Sequence, residues 1–160
     1  MDSRIERIVE SWTRYCNERG LSDSCRHGKD PQVTKALEQL GISPDSALTY
    51  LFQHLLGPFS STGERRLPEL LDITNGVRTI VSFSAEFWDN YSAPKNLLAI
   101  SEIDTMTGLF YDIERDCVFQ VEMDLEFPQF LNGELKPQWS SSVEFLVDFF
   151  GEEAIGGAVE

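Results

Sequence analysis

Ile5, Ile8, Val9, Trp12 and Tyr15 recur at helical spacing near the start of the chain, and Gly20 follows as a stop, so the pattern predicts an amphipathic helix over residues 1–19. Pro31 can open a second helix with the stripe Val33, Leu37 and Leu40, ended by Gly41. Ser43, Pro44 and Asp45 read as the cap and first turn of a third, which buries Leu48, Leu51, Phe52 and Leu55 and ends at Gly57-Pro58.

From Leu67 the period shifts towards two. Asn75-Gly76, between Leu70-Leu71-Asp72-Ile73-Thr74 and Val77-Arg78-Thr79-Ile80-Val81, predicts a hairpin, and the aromatic stretch Phe87, Trp88, Tyr91 reads as a connection. Further strands are expected over 96–103 and 109–113, the latter after a turn at Thr107-Gly108, and then over 117–127, with Glu114-Arg115-Asp116 as the turn of a second hairpin. Cys117, Phe119, Val121, Met123 and Leu125 would share the inward face of the last strand. Residues 127–138 hold Pro128, Gly133 and Pro137 and read as a loop. Ser141 and Glu144 then mark the start of a closing helix that buries Phe145, Leu146, Phe149 and Phe150 and stops at Gly151. The sum is an α+β domain over 1–151, an antiparallel β-meander with helices on one face and the other face open, followed by a flexible acidic tail at 152–160.

Charge sharpens this picture. Of a net charge of −14, residues 1–40 contribute nothing, with 7 charges of each sign, whereas residues 41–160 hold 20 Asp and Glu against 6 Lys and Arg. Asp112, Glu114, Asp116, Glu122, Asp124 and Glu126 crowd one expected hairpin with only Arg115 to offset them, so this hairpin is the candidate surface for a basic partner. Phe87, Trp88, Tyr91 and Trp139 could supply aromatic anchors, flanked by Glu86 and Asp89, with at least two of the four expected in the core and Trp88 and Tyr91 taken as the candidates. The same balance argues against nucleic acid as the ligand.

Signatures of chemistry are sparse. His27 and His54 are the only histidines, and no Gly-x-Ser-x-Gly elbow or phosphate loop accompanies them. Asp23, Cys25 and His27 lack the paired cysteine spacing of a zinc site. Three scattered cysteines, Cys16, Cys25 and Cys117, read as reduced thiols, and the charged opening Met1-Asp2-Ser3-Arg4-Ile5-Glu6 has no apolar h-region, so a cytoplasmic protein with no membrane contact is expected. No catalytic group, metal or cofactor is expected. The rival enzymatic reading is a small hydrolase whose Asp104, Asp112 and Asp124 converge.

Three stretches resemble the SMI1/KNR4 family of the SUKH superfamily, bacterial toxin-immunity proteins. They are Leu48-Thr49-Tyr50-Leu51-Phe52-Gln53-His54-Leu55-Leu56-Gly57, then Leu98-Ala99-Ile100 followed by Gly108-Leu109-Phe110-Tyr111-Asp112-Ile113 and Cys117-Val118-Phe119, and then Trp139-Ser140-Ser141-Ser142-Val143-Glu144-Phe145-Leu146-Val147-Asp148-Phe149-Phe150. A single Gly57 stands where the family commonly has a glycine pair, and residues 1–42 look like an extension without a counterpart. The resemblance implies a SUKH-like fold and a non-enzymatic cytoplasmic protein; a monomer or weak homodimer is expected. It would bind and block a cognate toxin with a basic surface, of which a nuclease is the class that charge favours. A regulatory scaffold or effector chaperone on the same domain is the alternative it leaves open.

Overall fold

The computed structural model describes residues 1–21, 25 and 30–151. Among these are six helices and three strands: α1 (Ser3–Glu18), α2 (Pro31–Leu40), α3 (Ala47–His54), α4 (Ile80–Tyr91), β1 (Leu97–Ala99), β2 (Thr107–Asp112), β3 (Cys117–Glu122), α5 (Phe127–Leu131) and α6 (Ser142–Phe150). The strands form an antiparallel meander in the order β1-β2-β3, with Ala99 opposite Phe110 and Phe110 opposite Phe119. The protein is therefore α+β, and none of its described helices is long and apolar enough to cross a membrane.

Both faces of the sheet are covered, which corrects the expectation of one open face. Alternation sends Leu98, Leu109, Tyr111 and Val118 into the larger core, where they meet the apolar stripes of α1, α2, α3 and α6. Leu97, Ala99, Phe110, Cys117, Phe119 and Val121 point the other way, into a second core built with Phe87 of α4 and Phe130 of α5. In that core the Phe110 and Phe130 rings lie 4.7 Å apart, and Phe119 and Phe130 5.1 Å apart. Strands buried on both sides read as near-continuous apolar runs, as Leu97-Leu98-Ala99 does.

The first helices are integral to the domain. Ile5, Ile8 and Val9 are buried in the larger core, and Trp12 packs edge-on against Phe59 and Phe150. On α6, Phe145, Leu146, Phe149 and Phe150 are all fully buried, as their spacing predicts. Gly41 ends α2 with φ 77°, the left-handed conformation that glycine adopts without steric penalty. The third helix starts later than expected. Ser46, not Ser43, accepts from Leu48 N as its cap, while Ser43 organises the turn ahead of it through a bond from Thr49 Oγ1.

The hairpin expected at Asn75-Gly76 does not form. Asp72 is buried and its carboxylate accepts from Gly57 N, Thr74 N and Asn75 N, folding the segment into a loop. Thr79 and Ser82 then make a reciprocal cap, so Ile80 opens α4. Ile80, Ser84 and Phe87 are its buried stripe, at helical spacing that the β-branched residues ahead of it obscure. The last strand is also shorter than expected. Glu126 accepts from Glu122 N at 3.0 Å and its own N–H donates to Glu122 O at 2.7 Å, turning the chain out of β3 and into α5. Residues 127–138, expected to be a loop, thus contain a short helix with Pro128 in its first turn. The tail at 152–160 lies outside the described residues.

Candidate functional site

The six acidic residues predicted to share a surface are divided between the two ends of the β2–β3 pair. Asp112 pairs with Cys117 at one end and Thr107 with Glu122 at the other. Five steps of about 3.4 Å separate these ends by roughly 17 Å.

At the first end, two of the three acids are structural. Asp112 is 3% exposed, and its carboxylate accepts from Asn96 Nδ2, Glu114 N, Arg115 N and Arg115 Nε, the last at 3.0 Å. Burial raises its pKa, but the bonds from Arg115, Asn96 and the two backbone N–H groups outweigh this and hold it below the usual carboxylate value. Asp116, at φ 52°, accepts from Tyr111 Oη. Asp112 is therefore not a docking residue, and Asp116 is only half-buried behind its bond. Glu114 is exposed, beside Arg115.

The other end differs. Residues 104–107 close a two-residue turn in which Asp104 and Thr107 exchange backbone bonds of 2.8 and 2.7 Å, with Thr105 at φ 47° and Met106 at φ 67°. Both central residues being left-handed defines a type I′ turn, where Asn-Gly would fit without penalty. A β-branched threonine and a methionine there cost on the order of 1–3 kcal/mol each. The turn at 123–126 lies alongside, joined by the bond from Met123 N to Met106 O at 2.8 Å. Together the two turns expose Ile103 at 43%, Met106 at 53% and Leu125 at 72%. Glu102, Asp104 and Asp124 are exposed around them, and Glu122 and Glu126 are half-buried. Glu122 accepts from Thr107 Oγ1 at 2.9 Å, and Glu102 meets Arg78 at 3.5 Å. No Lys or Arg occurs between Arg115 and Lys136 or between Lys95 and Arg115, so the sequence supplies no cation within either turn.

Trp88 and Tyr91 lie on α4 rather than on a connection. Trp88 is half-buried, donates from Nε1 to Leu97 O at 2.7 Å and carries Lys95 over its ring, so it fastens α4 to β1. Tyr91 is exposed and meets the Phe127 ring edge-on at 4.8 Å, just beyond the second turn. Sequence pattern misses Ile103, Met106 and Leu125 as a group because they are distant along the chain and Leu125 reads as an inward strand position. The available signal is Thr105-Met106 itself, flanked by Asp104 and Thr107 with Gly108 next, at the centre of a short apolar-to-apolar reversal.

The groups considered for chemistry do not assemble. Asp112 stands at the opposite end of β2 from Asp104 and Asp124, so the three carboxylates do not converge. His54 is exposed, its Nδ1 2.8 Å from Tyr50 O, and Asp23 and His27 lie outside the described residues. Among the described residues no three His, Cys, Asp or Glu side chains group as a metal site, and no disulfide joins Cys16, Cys25 and Cys117. Burial pushes the Cys117 thiol up, which keeps it protonated and inert. An open hollow beside α6 is lined by Glu64, Glu144 and Asp148, but there Asp148 is engaged by Arg65 and by Trp139 Nε1. No protein-family model, no curated protein and no solved structure matches the chain.

Proposed function

We propose that this protein is a cytoplasmic immunity protein of the SMI1/KNR4 kind, with a SUKH-like fold, that binds a basic toxin and occludes its active site without catalysis of its own. The observation that supports this most is the unbalanced acidity of the β2–β3 ends, where Asp104, Glu114, Asp124 and their half-buried neighbours face solvent with little opposing charge. Such a surface repels itself and gains when a cationic partner arrives. A nuclease groove must attract phosphate and is therefore basic, so a nuclease is the toxin class this charge fits.

The reading predicts a simple genetic outcome. A toxin reading frame adjacent to the gene, expressed alone, should arrest growth of a bacterial host, and co-expression of this chain should restore it through a complex that co-purifies. Arrest that persists although both proteins are folded and abundant would contradict the immunity reading. Restoration without a complex would point instead to an enzyme acting on the toxin's product.

A further inference from the structure

We infer that the paired turns at 104–107 and 123–126, with Ile103 beside the first, form the anchoring contact of the partner interface, and that they receive a segment whose apolar side chains are flanked by lysine or arginine. This rests on the reading of the protein as a binder, but not on the partner being a toxin.

Eight large apolar side chains are exposed among the described residues, and three of them, Ile103, Met106 and Leu125, lie in or directly beside these two turns. The bond from Met123 N to Met106 O and the pairing of Thr107 with Glu122 hold the two turns side by side. A fourth, Tyr91, lies against Phe127, two residues beyond Leu125. An apolar centre of this kind, bordered by charged groups, is the anatomy of a protein interface, in which the centre supplies the buried anchors and the border sets orientation. Methionine suits such a centre because its flexible thioether adapts to an irregular partner surface.

Charge decides the chemistry of the occupant. Glu102, Asp104, Glu122, Asp124 and Glu126 surround the centre, and among the described residues Glu102 is the one of these five in an ion pair, with Arg78, which also meets Glu86. A second copy of this chain would bring the same acids against them and be repelled. An apolar segment without cations would desolvate this edge and leave its charge, offset by Arg78 at Glu102, without the further cations it needs. A cationic, amphipathic segment satisfies both parts at once, with apolar contacts governing dissociation and the rim governing association.

The test uses the intact protein and two synthetic 14-residue helical peptides of equal positive charge, one with leucines along one face and lysines on the other, and one with those leucines replaced by serine. In 15N–1H spectra at physiological salt, the leucine peptide should shift the amides of Met106, Thr107, Met123 and Leu125 most, and should bind at least tenfold more tightly than the serine peptide. The double variant Met106→Asn, Leu125→Asn should lose at least tenfold in affinity for the leucine peptide. Asparagine accepts the left-handed conformation at position 106, so the variant should melt no lower than the parent, which separates lost binding from lost folding. Shifts spread evenly over the acidic surface, equal affinity for both peptides, or an unaffected double variant would each overturn the inference. Peptide capture here by a chain that fails to restore growth in the co-expression assay would leave this surface in place and remove the immunity reading.

Discussion

Tyr111 Oη donates to Asp116 Oδ1 at 2.7 Å and lies 3.0 Å from Ser46 Oγ, so one buried hydroxyl ties the β2–β3 turn to the cap of α3. Its single proton goes to Asp116, which leaves Ser46 as the donor to Tyr111. Burial raises the Tyr111 pKa, so the phenol stays neutral at any working pH. Tyr111→Phe should destabilise the protein by about 1–2 kcal/mol in urea unfolding, the cost of leaving buried Ser46 and the turn carboxylate without this partner. An unchanged midpoint would mean that water replaces the hydroxyl without loss.

Asp112 links the same turn to pH. Its native pKa is depressed by Arg115, Asn96 and backbone donors, so its contribution to stability is fully present above its unfolded value of about 3.9 and is lost as pH falls through the lower native value. Asp112→Asn should be less stable than the parent by about 1–3 kcal/mol at pH 6. The gap should narrow steadily below pH 4 when both are unfolded in urea. A gap that is constant with pH would assign the loss to packing rather than to the carboxylate.

The route into α4 gives a contrast between neighbours. Thr79→Ala removes a cap and should cost about 1 kcal/mol, whereas Val77→Asn changes a fully exposed loop residue and should stay within about 0.5 kcal/mol. In a β-hairpin the order would be reversed, because the valine would then pack across strands.

The closing helix should carry a large share of stability. Phe149 is fully buried with its ring 5.6 Å from Phe145 and 5.0 Å from Phe150, so Phe149→Ala should cost about 3–5 kcal/mol in denaturant unfolding. A loss below about 1 kcal/mol would show α6 to be peripheral.

The elements legible in the sequence are those whose signals are local. Pro31 and Gly41 bound α2, and the Ser141 cap with its phenylalanine stripe marks α6, because capping and periodicity act within one or two turns. The failures come from long-range chemistry. Buried Asp72 draws Gly57, Thr74 and Asn75 together and overrides the Asn75-Gly76 hairpin signal. The alternation of Glu122, Asp124 and Glu126 looks like a strand face, yet the Glu126 carboxylate folds back on Glu122 N and ends the strand. The same ambiguity divided the candidate site. A carboxylate that staples a turn, such as Asp112, cannot be told by composition from one that faces a partner, such as Asp124, because only burial and hydrogen bonding distinguish them.

The central claim, that the exposed acids recruit a basic partner, is tested most directly by association kinetics. Replacing Asp104, Glu114, Glu122, Asp124 and Glu126 by Asn or Gln removes five charges while sparing the turn-holding Asp112 and Asp116. Association with the toxin encoded beside the gene should be measured by stopped flow for both forms, at low salt and at physiological salt, where the Debye length is about 8 Å. The account predicts that the neutralised form associates at least tenfold more slowly at low salt and that its rate varies little with ionic strength. Equal rates and equal salt slopes for the two forms would contradict it.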